Sequence, residues 1–392
     1  MKILHCCLAA FYIDNFSYQE NIFPKIHKLQ GHQVHIIAST ETYLENIELG
    51  YVPARAYLTR ENIPIKRVPY VSWLPHFIAK KLRFYTGIKD YLKTVQPDII
   101  FLHDCQFLSI FQIANYAKQH KNVKIYADSH TDFINSGKTW VSKNIFHKII
   151  YRLFCANVIA PYTTKFYGTL PVRVDFLRDI YGIDAQKLEL LPFGADDTLF
   201  DAADKATIRT DMRRQLNLHD SDFVMITGGK IDARKNIDKL LNAFVELTNE
   251  QQIDNIKLIL FGKPTSELKA EIQQYTDHPN IRYMEWVSSE NIHKYFLASD
   301  LAFFPGTHSV LWEEAIGLGL PCVFYKWEGI QHVDVGGNCL FIEDPSVKTL
   351  KKTILSVVND KEQYAKMKEI AQNQGVNTFC YTEIAKRAIE NN

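Results

Sequence analysis

Short apolar strands alternate with amphipathic helical segments along almost the whole chain, and this alternation starts afresh in the second half. Strands that are linked by helices in this order form parallel sheets that are covered by helices. The pattern therefore predicts an α/β protein built from two doubly wound, Rossmann-like domains. The predicted strands are Lys2–Cys7, Val34–Ala38, Pro64–Val68, Ile99–Leu102, Val123–Ala127, Val158–Ala160, Leu188–Leu191, Phe223–Thr227, Ile256–Phe261, Ile281–Met284, Leu301–Phe304 and Cys322–Tyr325. The predicted helices include Glu20–Leu29, Phe77–Val95, Phe107–Lys118, Asn236–Glu246, Ser266–Tyr275 and Glu290–Leu297.

The length supports two domains, because 392 residues exceed what one ordinary hydrophobic core holds. Turn residues without helical periodicity occupy 192–205, and we place the linker there. The predicted domains are 1–195 and 196–376, and 377–392 is expected to form a helix that returns to the first domain. Two such domains on a short linker predict a cleft between the carboxyl ends of both sheets.

Composition describes a soluble globular protein, with 46% hydrophobic and 23% charged residues. No apolar run approaches the ~20 residues of a membrane span, and the first strand leaves no room for a signal peptide. The seven cysteines are odd in number and lie mostly in apolar runs, so we expect buried, reduced thiols and a cytoplasmic protein.

The charge is distributed unevenly. Residues 1–195 carry 23 Lys/Arg and 15 Asp/Glu, which leaves 22 and 29 for the rest of the chain. The basic half suits an anionic membrane surface or a phosphorylated acceptor, and ordinary solvated charge is the alternative. The segment 73–85 mixes aromatic residues with Lys80, Lys81 and Arg83, so it is either a helix that docks on the inner face of the cell membrane or an amphipathic core helix.

A strand, a loop of small residues and a helix follow one another in the segment 301–323. The helix is expected to begin near Val310 and to end at Gly319, before Pro321 leads into the next strand. This layout directs the free N–H groups near Val310 and Leu311 toward the carboxyl edge of a parallel sheet. Such a position suits an anion.

Two lysines follow an earlier strand end in the segment 224–236. Gly228 and Gly229 permit close backbone approach, and Lys230 and Lys235 can converge on one anion. A diphosphate leaving group needs such neutralisation as its bond breaks. The alternative is an exposed pair of lysines at the start of a helix.

Both segments resemble glycosyltransferase family 4. Lys230 and Lys235 match the pattern Gly-Arg-x-x-x-x-Lys, with lysine in place of the usual arginine. Glu314, with Ala315, Gly319 and Pro321, matches the second half of the pattern Glu-x7-Glu-Ala, whereas Gly306 stands at the position of the first glutamate. The resemblance implies a GT-B fold and sugar transfer with retention from a nucleotide-diphosphate sugar, without a cofactor or a divalent metal.

The resemblance also implies a set of donor-binding residues. Glu314 would hold the ribose, a strand end near the diphosphate carries Gly262, and Trp286 and Val287 would lie beside the base. We read Glu313 as a solvated surface residue. The full donor set is Gly229, Lys230, Lys235, Gly262, Trp286, Val287, His308, Ser309, Val310, Leu311 and Glu314, of which Lys230 and Lys235 are also expected to be catalytic.

The first domain contributes a histidine at a strand end. His130 resembles the family histidine that lies against the donor sugar, and we expect Asp128 or Asp132 to orient it. His103, at another strand end, is a weaker candidate. The loop after the first strand suggests an acceptor site, although Glu20 is as readily explained as the start of a helix. The predicted acceptor residues are Asp14, Tyr18, Glu20 and Asp132.

Taken together, the residues and the resemblance predict a hexosyltransferase that acts on a glycan or lipid-linked acceptor in bacterial polysaccharide assembly. Its partners would be a nucleotide sugar and that acceptor, with possible contact to the membrane and no nucleic acid. Two alternatives stay open. One is a nucleotide-sugar epimerase or phosphorylase on the same scaffold, and the other is an inactive homologue that serves as a binding subunit.

Overall fold

The structure, a computed structural model, describes residues 1–44, 48–133, 136, 139–251, 253–327 and 329–390. The chain forms two compact units. The first comprises Met1–Pro192 and Ala385–Asn392, and the second comprises Phe193–Ile384.

The first unit is built on an eight-stranded sheet with the order β10-β9-β8-β7-β1-β2-β6-β5. All neighbours are parallel except β5 and β6, and β3 and β4 form a separate antiparallel pair. The strands are β1 (Lys2–Cys7), β2 (Gln33–Ser39), β3 (Glu41–Tyr43), β4 (Leu49–Tyr51), β5 (Ala56–Leu58), β6 (Pro64–Val68), β7 (Ile99–His103), β8 (Lys124–Ser129), β9 (Thr163–Gly168) and β10 (Leu188–Leu190).

Helices connect these strands. They are α1 (Gln19–Leu29), α2 (His76–Leu82), α3 (Ile88–Val95), α4 (Ile110–Gln119) and α5 (Pro171–Asp179), with π-helical segments at Ser142–Tyr151 and Leu153–Ile159 and 3₁₀ turns at Ala160–Tyr162 and Ala185–Lys187. The strand predicted at Val158–Ala160 is wrong, because this stretch ends a helical segment and the strand β9 begins at Thr163. The helix predicted over Phe77–Val95 is two helices. Arg83 and Gly87 interrupt it with φ values of 51° and 81°, which no α-helix contains.

The second unit has a six-stranded, fully parallel sheet with the order β13-β12-β11-β14-β15-β16. Its strands are β11 (Phe223–Gly228), β12 (Ile256–Phe261), β13 (Ile281–Met284), β14 (Leu301–Phe304), β15 (Cys322–Tyr325) and β16 (Cys339–Ile342). Its helices are α6 (Lys205–Gln215), α7 (Ile237–Gln251), α8 (Lys269–Gln273), α9 (Ile292–Ala298), α10 (Leu311–Gly317), α11 (Val347–Asn359), α12 (Lys361–Ile370) and α13 (Val376–Phe379), and α14 (Tyr381–Arg387) spans the limit at residue 384. Shorter helical segments are Asp197–Leu199, Ala202–Asp204, Ala233–Lys235, Gln331–Val333 and Ala371–Gly375.

The second sheet is buried on both faces. Along β14, Leu301 and Phe303 belong to one hydrophobic core, whereas Ala302 and Phe304 belong to another. Successive side chains of a strand point to opposite faces, so each face needs its own layer of helices. This explains why the strands are continuous apolar runs and confirms the doubly wound α/β architecture.

All seven cysteines are buried and free, as the sequence predicts. Within the described ranges, no helix combines the length and the apolar character that a membrane span needs.

Candidate functional site

The ends of two neighbouring strands in the second unit meet through glycines. Gly229 follows β11 and Gly262 follows β12, with φ values of 101° and 112° that favour glycine. A Cβ on Gly262 would lie 1.9 Å from the carbonyl oxygen of Gly229, and one on Gly228 would lie 2.3 Å from that of Phe261. Side chains are therefore excluded at Gly228 and Gly262, and the backbones of the two strand ends lie directly against each other.

The predicted lysine motif forms a 3₁₀ turn directly after β11. The Asp232 side chain accepts a hydrogen bond from the Arg234 amide at 3.1 Å and caps the turn. Lys235 Nζ donates to the carbonyl oxygens of Thr307 at 2.7 Å and His308 at 2.9 Å. Burial lowers the pKa of Lys235 to about 8. Lys230 is exposed and forms no hydrogen bond or ion pair with the described residues.

Gly306 brings the other motif against this turn. A Cβ at position 306 would lie 2.4 Å from the Arg234 carbonyl oxygen and 2.4 Å from the Lys235 Cα. Thr307 N–H donates to the same Arg234 oxygen at 3.0 Å. The glutamate of the family pattern cannot occupy this position on this backbone, which gives a steric reason for the glycine.

Glu313 is fully buried, which corrects its reading as a solvated surface residue. His308 Nε2 donates to its carboxylate at 2.8 Å, and His332 Nε2 donates to the same oxygen at 3.0 Å. Burial opposes ionisation, but the charges and hydrogen bonds of the two histidines outweigh it and lower the pKa of Glu313 to about 2. Glu313 thus fixes His308 in the loop that leads into α10.

Glu314, the next residue, has the opposite environment. It is partly buried, and its carboxylate accepts no hydrogen bond from the described residues. Burial, followed by repulsion from Asp196, raises the pKa of Glu314 to about 8. A half-buried carboxyl without a donor is suited to accept hydrogen bonds from hydroxyl groups of a ligand.

The other predicted donor residues lie at the start of α10, in the loop before it and in the segment after β13. Ser309 and Val310 precede α10 and Leu311 begins it, and Leu311 Cδ1 lies 3.1 Å from the place of a Cβ at Gly229. Trp286 is 74% exposed, and Val287 packs on the core. Trp286 and Val287 line a cavity of about 640 Å³ together with residues of α6 and α9.

In the first unit, His130 follows β8 and lies 3.4 Å from Asp128 through its Nε2 atom. Burial opposes protonation of His130, but the Asp128 carboxylate outweighs it and raises the pKa. Asp132, the other predicted orienting residue, instead accepts from Arg173 Nε at 3.0 Å. His103 is buried and donates through Nδ1 to Asp128 at 2.9 Å, so it supports Asp128 rather than facing solvent.

The predicted acceptor residues have different surroundings. Asp14 accepts from Arg67 and from Tyr57 Oη, each at 2.8 Å. Tyr18 is exposed, and Glu20 lies in the first turn of α1. Burial raises the pKa of Glu20, and the charges of His130 and His103 act against this rise. Asp132 is buried with Arg173.

Two features of the site were missed from the sequence. His332 lies about twenty residues after Glu313, and only the folded chain brings them together. His5 and His27 form a buried chain with His103, although nothing in their spacing suggests it. Among the described residues, no group of three or more His, Cys, Asp or Glu is arranged to hold a metal ion. A reaction without metal stays a prediction.

Comparison with known proteins finds a family match within the second unit. Residues 208–374 match the family model described as glycosyl transferases group 1. A curated relative, mannosylfructose-phosphate synthase of Agrobacterium fabrum, is 22% identical over 259 residues. That alignment covers 63% of this chain and 55% of the relative, so the chain spans about half the length of the curated relative it matches.

Solved structures are similar over nearly the whole chain. Anabaena HepE in complex with UDP-glucose has a TM-score of 0.64 at 14% identity, covering 99% of this chain and 98% of that one. UDP-GlcNAc 2-epimerase of Neisseria meningitidis has a TM-score of 0.63 at 13% identity, with the same coverage. The two doubly wound units and these similarities show the GT-B fold. Residues 208–374, within the second unit, are therefore similar to the glycosyl transferases of group 1.

Proposed function

We propose that the chain transfers a hexose with retention from a nucleoside-diphosphate sugar to a glycan or lipid-linked acceptor, in the manner of family 4. One observation carries the proposal. Lys235 and Gly306 bring the lysine turn into direct contact with the loop before Glu314, at the strand ends that carry Gly229 and Gly262. These are the elements that the resemblance assigns to the diphosphate and the ribose. HepE, which is similar over the whole chain, was solved with UDP-glucose.

The residues suggest how the donor is activated. Negative charge grows on the nucleoside diphosphate as its bond to the sugar breaks, and cations placed there stabilise the transition state. Lys230 is free to contribute its charge, and Lys235 can exchange its carbonyl partners for phosphate oxygens. Glu314 would accept the ribose hydroxyls. His130, ion-paired with Asp128, would hold the donor sugar, and the acceptor hydroxyl would attack on the face of the departing phosphate.

The test compares lysine variants in a transfer assay with a panel of nucleotide sugars and glycan or lipid-linked acceptors. Lys230→Ala and Lys235→Ala should each lower kcat about a hundred- to a thousandfold, equivalent to about 2–4 kcal/mol. Lys239→Ala, an exposed lysine on α7, is the matched control and should leave the rate unchanged. Full activity in both lysine variants would remove the diphosphate assignment.

The epimerase alternative draws on the similarity to the Neisseria enzyme, which shows a shared fold. Incubation of the donor without an acceptor separates the two functions. An epimerised sugar under these conditions would favour the alternative, whereas a transferase returns the donor unchanged or slowly hydrolysed. Tight nucleotide binding without turnover on any acceptor would indicate an inactive homologue.

We further propose that the first unit contacts an anionic membrane, as expected in polysaccharide assembly. Trp73, Phe77, Trp140 and Ile149 are exposed, and Lys81 Nζ lies 4.3 Å from the Phe146 ring centroid and links α2 to the segment Ser142–Tyr151. The segments 71–89 and 133–174 contain four and six Lys/Arg and no Asp or Glu. Apolar anchors with cations at headgroup level suit anionic lipid.

Cosedimentation with vesicles tests this contact. Binding should be strong with phosphatidylglycerol vesicles and weak with phosphatidylcholine alone, and the double variant Trp73→Ser/Phe77→Ser should lose most of it. Leu29→Ser, an exposed residue on α1, is the control. Equal binding by the double variant and the control would contradict the assignment of this face.

A further inference from the structure

Three buried histidines in the first unit form one continuous hydrogen-bonded chain. His27 Nε2 lies 2.7 Å from the carbonyl oxygen of Ala385, and His27 Nδ1 lies 3.0 Å from His5 Nε2. His5 Nδ1 lies 3.0 Å from His103 Nε2, and His103 Nδ1 lies 2.9 Å from Asp128 Oδ2. All three rings and Asp128 are buried, so no bulk water joins the chain.

The two ends of this chain determine its proton content. The Ala385 carbonyl and the Asp128 carboxylate both accept, so each end must receive a proton from the adjacent ring. Four hydrogen bonds need four protons, whereas three neutral imidazoles supply three. The chain therefore holds one proton more than its neutral rings provide. The extra proton makes one of the three rings an imidazolium. Among these rings only His103 is hydrogen-bonded to the Asp128 carboxylate, which stabilises the positive charge there. With the charge on His103, that ring donates from both nitrogens, and His27 and His5 each donate once and accept once.

The surroundings agree with a charge on His103. Burial lowers the pKa of His27 to about 4 and also lowers that of His5, where the neighbouring histidines add to the effect. The charges and hydrogen bonds of His103 and His130 lower the pKa of Asp128 against the effect of burial. The other titratable groups among the described residues that interact electrostatically with the histidines or with Asp128 are Cys7, Glu20, His32, Asp104, Cys105 and His130.

We propose that His5, His27 and His103 are positioning residues for His130, and that they act by holding a buried imidazolium at His103 that fixes Asp128. One oxygen of Asp128 then accepts the hydrogen bond from His103. The other oxygen accepts a hydrogen bond from the Asp104 amide at 3.1 Å and lies 3.4 Å from His130 Nε2. The role of His130 in transfer rests on the proposed function. The number of protons held by the three histidines does not rest on it.

Glutamine substitutions distinguish the three positions. A glutamine side chain ends in one donor group and one acceptor, so it can replace a histidine that donates once and accepts once. His27→Gln should keep the chain, with its amide donating to Ala385 and its oxygen accepting from His5. His103→Gln can donate to Asp128 but not to His5 as well. The extra proton must then move to His5 or His27, farther from the carboxylate, or one bond must break. The urea midpoint of His103→Gln should therefore fall clearly below that of His27→Gln.

Nuclear magnetic resonance of the full chain with ¹⁵N-labelled histidine observes the proton directly. About two pH units above the ordinary histidine pKa of ~6.5, one ring should still show both nitrogens protonated. This signal should persist in His27→Gln and disappear in His103→Gln. His35→Gln is the control, because His35 lies on β2 outside the chain and contacts Tyr91. Only neutral rings in the wild type, or equal urea midpoints for the variants at 27 and 103, would overturn the proposal.

Kinetics test the positioning role separately. His103→Gln should lower kcat of transfer roughly ten- to a hundredfold, and His27→Gln much less. The affinity for whichever of UDP, GDP and ADP binds the wild type should stay the same in both variants. If the imidazolium is present but kcat is unchanged in His103→Gln, the positioning role is wrong. If the wild type shows the imidazolium and no transfer at all, the proposed function fails and the proton content stands.

Discussion

Two adjacent glutamates in the second unit have opposite electrostatic environments. Glu313 is buried and ionised between His308 and His332, whereas Glu314 has a raised pKa and no donor among the described residues. The first therefore stabilises the fold, and the second is poised for a ligand. The difference follows from the direction of each side chain at the start of α10.

Glutamine at each of these positions should have a different effect on stability. Glu313→Gln removes a buried charge with two partners and should lower the free energy of unfolding by about 2–4 kcal/mol. Glu314→Gln should not lower it at neutral pH, because that carboxyl costs energy to ionise. Urea denaturation measures both. Equal losses in the two variants would contradict the distinction.

The pH dependence of stability should report Glu314. A carboxyl whose pKa rises from 4.5 to about 8 on folding contributes stability below pH 4.5, and this is lost as the pH rises to about 8. Relative to wild type, Glu314→Gln should therefore gain roughly 1–3 kcal/mol between these limits, less than the full shift implies because the group is partly solvated. A difference that does not vary with pH would disprove the raised pKa.

The sequence predicts which residue types form the donor site better than it predicts what surrounds each side chain. Lys230, Lys235 and Glu314 occur in the order of the family pattern, so the resemblance alone is enough to predict a donor site. The burial of Glu313 could not be predicted, because in a short helix of mixed residues the inward face depends on tertiary packing. Its partner His332 comes from a distant loop, which no local pattern reveals.

The loop 305–308 packs directly against the turn 233–235. Thr307 N–H, Lys235 Nζ and the absence of a side chain at Gly306 all hold them together. The glycine that departs from the family pattern is therefore a packing requirement of this loop. His308, which Glu313 orients, follows Thr307 in this loop and lies close in sequence to the position of the missing glutamate.

Adding a side chain at Gly306 should separate these two segments. Gly306→Ala and Gly306→Glu place a Cβ within 2.4 Å of backbone atoms, so each should cost about 1–3 kcal/mol of stability and also weaken nucleotide binding. Gly31→Ala is the control for backbone strain alone, since Gly31 has φ 85° and open space around it. Denaturation and calorimetry measure the two effects. A Gly306→Glu variant with wild-type stability would show that the loop adapts.

Elements with strong apolar character were predicted well. The strands β1, β6, β12, β13, β14 and β15 have the predicted limits. The failure at Val158–Ala160 arose because β-branched residues also end a helical segment there, and the failure within Phe77–Val95 arose because two left-handed residues divide an otherwise continuous amphipathic pattern.

For the whole molecule, the repeated alternation of strands and helices was sufficient to predict two doubly wound units. The predicted donor residues belong to the second unit, which also contains the residues that match the family model. The hydrogen-bonded histidines belong to the first unit and end at Ala385, where the polypeptide returns to that unit. The predicted acceptor residues lie in the first unit, where the resemblance to family 4 is weakest.

Nucleotide binding by the intact chain tests the central claim most directly. Titration calorimetry with UDP, GDP and ADP should give clear binding for one of them, with affinity reduced at least about tenfold in Glu314→Ala and Lys235→Ala and unchanged in Lys239→Ala. The same nucleotide should stabilise the wild type by about 2.7 kcal/mol at a hundredfold excess over Kd. No binding of any nucleoside diphosphate, or equal binding by all variants, would contradict the account.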